Sequence, residues 1–182
     1  TQVLDNFMQK YQMAAKSEPS LLMTEYDPKW PSECHLSLET NNDNLVQWQP
    51  VKRKVVGHLD GLVSALDMQI HPDIVTFYST YWSNNLNAKT AKGNLQLLQA
   101  WNQDDFERLQ QNLIGHILMK RRLKQPETLF FALTDEDDFI LTLDNQSGEV
   151  LLEQVGLLPK EVLAANLAAF IDSLEPSATS IS

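Results

Sequence analysis

Apolar side chains recur at helical spacing in residues 3–16, where Val3, Leu4, Phe7, Tyr11 and Ala14 fall on one side. A polar connection punctuated by Pro19, Pro28 and Pro31 follows. CHLSLET (34–40) and NLVQWQP (44–50) read as short strands, the second stopped by Pro50, and Lys52, Arg53 and Lys54 fall in a turn or strand end beyond it. Residues 59–67 and 71–82 read as short helices, with Pro72 at a first helical position where its missing N–H costs nothing. LNAKTAKGNLQLLQ (86–99) has Lys-Gly-Asn between two alternating arms, a hairpin signal. A long helix over 104–124 comes next, then three strands at 128–134, 139–143 and 149–155, joined by the turns Asp-Glu-Asp-Asp (135–138) and Asn-Gln-Ser-Gly (145–148). Pro159 opens a last helix whose stripe is Leu163, Leu167, Phe170, Ile171 and Leu174, and the tail SATSIS is expected to fray.

Strands therefore come as hairpins and a meander, with helices between the groups and not after every strand. That order predicts an α+β fold, a mainly antiparallel sheet packed by helices, in one domain spanning residues 1–182. No internal repeat and no interdomain linker breaks it.

Charge changes the picture more than composition does. Hydrophobic residues make up 43% and charged residues 21%, ordinary for a globular chain. The net charge is −10, and it is unevenly placed: residues 1–124 hold 13 acidic and 13 basic side chains, whereas residues 125–182 hold 11 acidic side chains against Lys160. Such a surface repels phosphate backbones and anionic lipid heads, so neither nucleic acid nor direct lipid insertion is expected, and a basic partner is. The longest apolar runs fall short of the ~20 residues of a membrane-spanning helix. The N-terminus shows no basic region followed by an apolar one, and the single cysteine, Cys34, cannot form an internal disulfide. Both point to the cytoplasm.

Against that acidity stands the basic run Lys120, Arg121, Arg122 and Lys124 at the end of the long helix. Phe106, Leu109, Leu113 and Ile117 share one arc of this helix, with Asp104, Asp105 and Glu107 in its first turn. Acid at the N-terminus and base at the C-terminus complement the helix dipole, which accounts for the run without a ligand. His116, at the edge of the apolar arc, reads as a buried, hydrogen-bonded histidine.

Catalytic patterns are scarce. The six glycines build neither a GxxxxGK[ST] phosphate loop nor a GxGxxG turn, and no GxSxG elbow or HExxH zinc helix is present. His35, His58, His71 and His116 lack paired ligand spacing, and the Asp-Glu-Asp-Asp turn lacks the glycine and spacing of an EF-hand loop. No cofactor, metal or small-molecule substrate is expected, and a nucleophilic Cys34 is the remaining enzymatic alternative.

The motifs QWQP (47–50), IHPDIVTFY (70–78), LQLLQAW (95–101), DDFERLQQNLIGH (104–116), RLKQPETLF (122–130), SGEV (147–150) and LAANLAAFIDSL (163–174) resemble those of the Syd family of SecY-interacting proteins from gamma-proteobacteria. The resemblance is densest after Trp101 and fades before residue 44. It implies an α+β domain of the SUKH superfamily, several of whose members are immunity proteins that neutralise toxins. It further implies a non-enzymatic role: an acidic concave surface that contacts basic cytoplasmic loops of the SecY channel, holds the protein peripherally on the cytoplasmic side of the inner membrane, and regulates or monitors translocation. Asp104 and Asp105, with the aromatics Tyr78, Trp48 and Trp101, stand within these motifs, Asp67 stands just before IHPDIVTFY at a position that resembles the family's, and the resemblance makes all six the candidate partner-binding residues. The alternative is an immunity-type domain that neutralises a basic toxin.

Overall fold

The computed structural model describes residues 1–179 and residue 181. Its centre is a seven-stranded antiparallel sheet in which residues 161–164, 150–154, 139–144, 128–134, 93–97, 86–90 and 175–176 lie side by side in that order. β5 (Leu86–Thr90) and β6 (Gly93–Leu97) form the expected hairpin, turning at Ala91 and Lys92. β7 (Thr128–Thr134), β8 (Phe139–Asp144) and β9 (Val150–Gln154) form the meander, with a register shift between Phe130 and Ala132. Two small pairs flank this sheet: β1 (Met23–Glu25) with β2 (Leu45–Gln47), and β3 (Val51–Lys52) with β4 (Tyr81–Trp82).

Helices cover both faces. α4 (Gln103–Arg122) lies on one, where His116 meets Thr128 and the ring of Phe130. α2 (Asp60–Leu66) packs on α4. On the other face Phe131 meets Phe77 of α3 (Pro72–Ser79) and Phe170 of α5 (Leu167–Asp172), and α1 (Gln2–Ala14) packs against α5. Neighbouring residues of β7 thus face opposite layers, as the pleat requires. The architecture is α+β, with its core running through Leu97, Leu113, Ile117, Phe131 and Leu143.

The start of α3 and the β8–β9 turn are stitched together. The amide of His71 donates to Asn145 Oδ1 (2.9 Å) and Asn145 Nδ2 donates to the carbonyl of Gln69 (2.8 Å). Gly148 follows at φ 80°, and a Cβ on it would lie 2.6 Å from His71 Nε2. This close approach and the left-handed backbone explain a glycine at the centre of SGEV.

Four expectations are corrected. Residues 34–40 form no strand; His35 makes one isolated bridge to Trp48, and Leu36 and Leu38 stay exposed. The helix read over 71–82 stops at Ser79, because Tyr81 and Trp82 pair with β3. The helix opened by Pro159 is absent. β10 (Glu161–Ala164) instead pairs with β9, led in by the amide of Lys160 donating to Leu152 (2.7 Å). α5 starts only after Asn166, whose side chain accepts from the amide of Ala169 (2.8 Å). Edge pairing plus an internal cap overrides the helical stripe. The chain's last strand, β11 (Glu175–Pro176), pairs with β5, and Ser177 is buried with its amide donating to Asn87. The expected frayed tail therefore does not begin at Ser177, and its serines 180 and 182 lie outside the described residues.

Candidate functional site: an acidic cleft at the start of the long helix

Asn102 caps α4, its Oδ1 accepting from the amide of Asp105 (2.8 Å). Asp105 reaches back in turn, Oδ2 accepting from the amide of Trp101 (2.8 Å), so the two side chains satisfy donors at both sides of the helix start. The proline-rich connection is pinned to this point by three bonds. Ser32 Oγ donates to the Trp101 carbonyl (2.6 Å), Trp101 Nε1 to the Trp30 carbonyl (3.2 Å), and Asn102 Nδ2 to the Pro31 carbonyl (2.9 Å). Replacing Asn102 by Ala removes the cap and one of these pins, so we expect a loss of about 1–2 kcal/mol, readable in urea denaturation.

The pinned segment closes a cleft of about 260 Å³ between β1, the β4–β5 connection and the first turns of α4. Glu25, Asp27 and Asp105 supply three carboxylates, and Trp30, His35 and Trp101 supply aromatic faces. Glu25 and Asp27 are exposed. Asp105 is ion-paired to Arg108 (2.6 Å), whose guanidinium also lies over the Trp30 ring at 5.5 Å. Behind them, Gln99 is 5% exposed: its Nε2 donates to the Phe77 carbonyl (3.0 Å), and its Oε1 has no partner.

The structure distributes the candidate residues unequally. Trp101 and Asp105 line the cleft, and Asp104 is exposed one residue before Asp105. Trp48 is buried directly behind, its ring edge-to-face with Trp101 at 5.9 Å. Tyr78 is fully buried; its hydroxyl donates to the carbonyl of Phe130 (2.7 Å), and Phe130 lines the cleft. Burial pushes the Tyr78 phenol well above its usual pKa. Asp67 is exposed elsewhere, at φ 47° just past α2, beside the Leu66 carbonyl that Arg121 binds (2.9 Å). Arg121 and Asp105 are 16 residues apart on α4, so Asp67 sits roughly 24 Å from the cleft along the helix.

Sequence reasoning missed Glu25, Asp27, Trp30, His35 and Gln99. Glu25, Asp27 and Trp30 lie in the polar connection, where no pattern marks them, and His35 lies in the stretch misread as a strand. Gln99 carried a weak signal, as one of the two glutamines in LQLLQAW.

The basic run does fall in the last turn of α4, but its first member does more than complement the dipole. Lys120 is fully buried, its Nζ 3.3 Å from Glu153 Oε2 and 2.8 Å from Gln125 Oε1. Glu153, also fully buried, accepts from the hydroxyls of Thr128 (2.9 Å) and Thr142 (3.1 Å). His116 Nε2 lies 2.9 Å from Thr128 Oγ1 and 3.5 Å from Glu153 Oε2, as a buried, hydrogen-bonded histidine. Burial lowers its pKa, outweighing the pull of Glu153, and Lys120 lowers it further. An unfolded imidazole titrates near 6.5. The folded one takes its proton only at lower pH, so the unfolded chain binds more protons in between and stability falls as pH drops through that window. We expect His116→Gln to flatten this part of the stability–pH profile, measured by urea midpoints between pH 7 and pH 5.

Four of the eleven acidic side chains in residues 125–182 are ion-paired within the chain, Glu153 in its interior and three nearer the surface. Glu127 pairs with Arg121, Glu153 with Lys120, Glu161 with Lys92 and Glu175 with Lys10. The imbalance of that third is therefore partly compensated by bases of the first two. Cys34 is buried, and burial pushes its thiol up to about 11, so it stays protonated near neutral pH.

An α+β domain with an acidic, aromatic-walled cleft is the class this architecture defines. A family model described as Syd protein (SUKH-2) matches residues 1–176. Protein Syd of Pseudoalteromonas atlantica is 51% identical over 179 residues, covering 98% of this chain and 96% of the relative. Protein Syd of Alteromonas mediterranea is 49% identical over 174 residues (95% and 94%), and that of Colwellia psychrerythraea 44% over 184 residues (96% and 91%). The chain belongs to the Syd family, and the match takes in the N-terminal segment where the motifs had faded. Among the described residues no helix is long and apolar enough to cross a membrane.

Proposed function

We propose that this chain is a non-enzymatic binding protein that docks onto basic cytoplasmic loops of the SecY channel and regulates or monitors protein translocation. The observation that carries the reading is the cleft: three carboxylates and the rings of Trp30, His35, Trp101 and Phe130 gathered at one concavity of a chain with net charge −10. Cytoplasmic loops of membrane proteins are enriched in Lys and Arg, so they complement it. Attraction between them speeds encounter and weakens as salt rises. Recruitment through such a loop would hold the protein on the cytoplasmic side of the inner membrane without a membrane segment of its own.

The candidate residues then take different parts. Asp105 and Trp101 stand at the contact, and Asp104 extends it outward. Trp48 and Tyr78 act from behind, by setting Trp101 and the Phe130 strand. Asp67 contributes only long-range attraction. A photo-crosslinking side chain at Asn112, on the cleft, should capture SecY in inner-membrane vesicles. The same probe at the exposed Leu157, whose carbonyl Lys120 binds at the far end of α4, should not. Capture from Leu157 alone would move the interface; capture from neither would favour the toxin-binding alternative.

A further inference from the structure

Arg108 is the one cation among the residues lining the acidic cleft, and it holds there the posture a partner's arginine would take. One guanidinium nitrogen lies 2.6 Å from Asp105 Oδ1, and the planar group sits over Trp30 at 5.5 Å. Yet the side chain is 67% exposed, anchored at its tip and bathed in water along its stem. Asp105 is the opposite case: 15% exposed and fixed by the Trp101 amide, so its carboxylate stays in place whether or not Arg108 does. Deeper in the wall the Gln99 oxygen is an acceptor without a donor. The bond from its Nε2 to Phe77 fixes which end of the amide is the oxygen. A buried acceptor left unpaired is costly, and a donor brought by a ligand would satisfy it.

We propose that the cleft is a reader of arginine side chains and that Arg108 is its built-in placeholder, displaced when a partner's guanidinium enters. The proposal rests on the docking function proposed above and adds which side chain is read and what regulates access. Guanidinium suits this wall better than ammonium. It is flat enough to lie over the Trp30 ring, as Arg108 does, and its forked donors suit the Asp105 carboxylate with an N–H to spare for a second acceptor such as the Gln99 oxygen, where a lysine offers a compact, strongly hydrated point charge. Glu25 and Asp27, exposed and outside any ion pair among the described residues, attract the incoming cation. Asp105 then exchanges one guanidinium for another, so docking carries an internal competition. Arg108 thereby sets a threshold: weakly basic segments fail to displace it, and arginine-bearing ones succeed.

The test uses the full chain and two fluorescein-labelled peptides of twelve residues, Gly/Ser-based, one carrying three arginines and the other three lysines. Binding is followed by fluorescence anisotropy at low salt. The wild type should bind the arginine peptide more tightly than the lysine peptide. Arg108→Ala should tighten the arginine peptide by about threefold, the scale of one exposed ion pair, and the lysine peptide by less. Lys29→Gln, which changes net charge equally but vacates nothing, separates displacement from simple electrostatics. Gln99→Leu, removing the acceptor at nearly constant volume, should erase the preference for arginine while leaving the lysine peptide unaffected; a thermal melt confirms that the variant folds. Equal gains for both peptides in Arg108→Ala, or a gain matched by Lys29→Gln, would overturn the placeholder while leaving the docking function standing. Absence of binding by either peptide to any of the proteins would overturn the arginine reader, whereas the docking function stands or falls on binding to the SecY channel itself.

Discussion

Replacing Lys120 by Met is expected to destabilise the fold by about 3–5 kcal/mol, more than the loss of the Asn102 cap or of any exposed ion pair. The substitution nearly conserves volume, so packing is not its main cost. It strands the Glu153 carboxylate, fully buried and left with two threonine hydroxyls and a largely neutral imidazole for company. A domain of this kind has roughly 5–15 kcal/mol in total, so the variant should unfold at markedly lower urea, with an unchanged slope. The double variant Lys120→Met with Glu153→Gln removes the uncompensated charge while its amide oxygen still accepts from Thr128 and Thr142. It should therefore be more stable than Lys120→Met alone, although it contains one more substitution. If the double variant is the less stable of the two, the charge is not what makes the site costly, and the Lys120 bonds to Gln125 and the Leu157 carbonyl matter more.

The second large effect is on binding. Reversing Glu25 and Asp27 together to Lys should weaken binding to the SecY channel by at least about tenfold, because like charges then meet at the mouth of the cleft. Both side chains are exposed, and the one bond at stake is the exposed turn bond from the Lys29 amide to Asp27 Oδ1 (2.9 Å), so the melting temperature should move little. Asp105 is a poorer test residue. Its carboxylate also takes the Trp101 amide, so its loss mixes a binding defect with a folding defect. Reversal of Asp67, at the other end of α4, should cost far less than the Glu25 and Asp27 pair. An equal cost would place the contact along the whole helix and not at its N-terminal end.

What could be read from the sequence was what local chemistry decides. The meander, the β5–β6 hairpin and α4 follow from alternation, turn residues and a helical arc within a dozen or so neighbours. Residues 34–40 and 159–166 depart from their local pattern because their state is settled at a distance. The first pairs with Trp48 at a single bridge, and the second is taken up as an edge by β9. Lys120 departs from it for the same reason. Its place in the last helical turn suits the dipole, but nothing within α4 announces that it meets Glu153, a carboxylate of β9 on which Thr128 of β7 and Thr142 of β8 also converge. The cleft was half legible: Trp101 and Asp105 sit in recognisable motifs, whereas Glu25 and Asp27 come from a segment that is positioned by β1–β2 pairing and by bonds from Ser32 and Asn102.

Docking to the channel is the central claim, and the most direct measurement is binding of the purified chain to SecYEG in nanodiscs against protein-free nanodiscs, from roughly 50 mM to roughly 500 mM salt. We expect binding to the loaded discs alone, weakening steadily as salt rises. No binding at the lowest salt, or equal binding to empty discs, would contradict it.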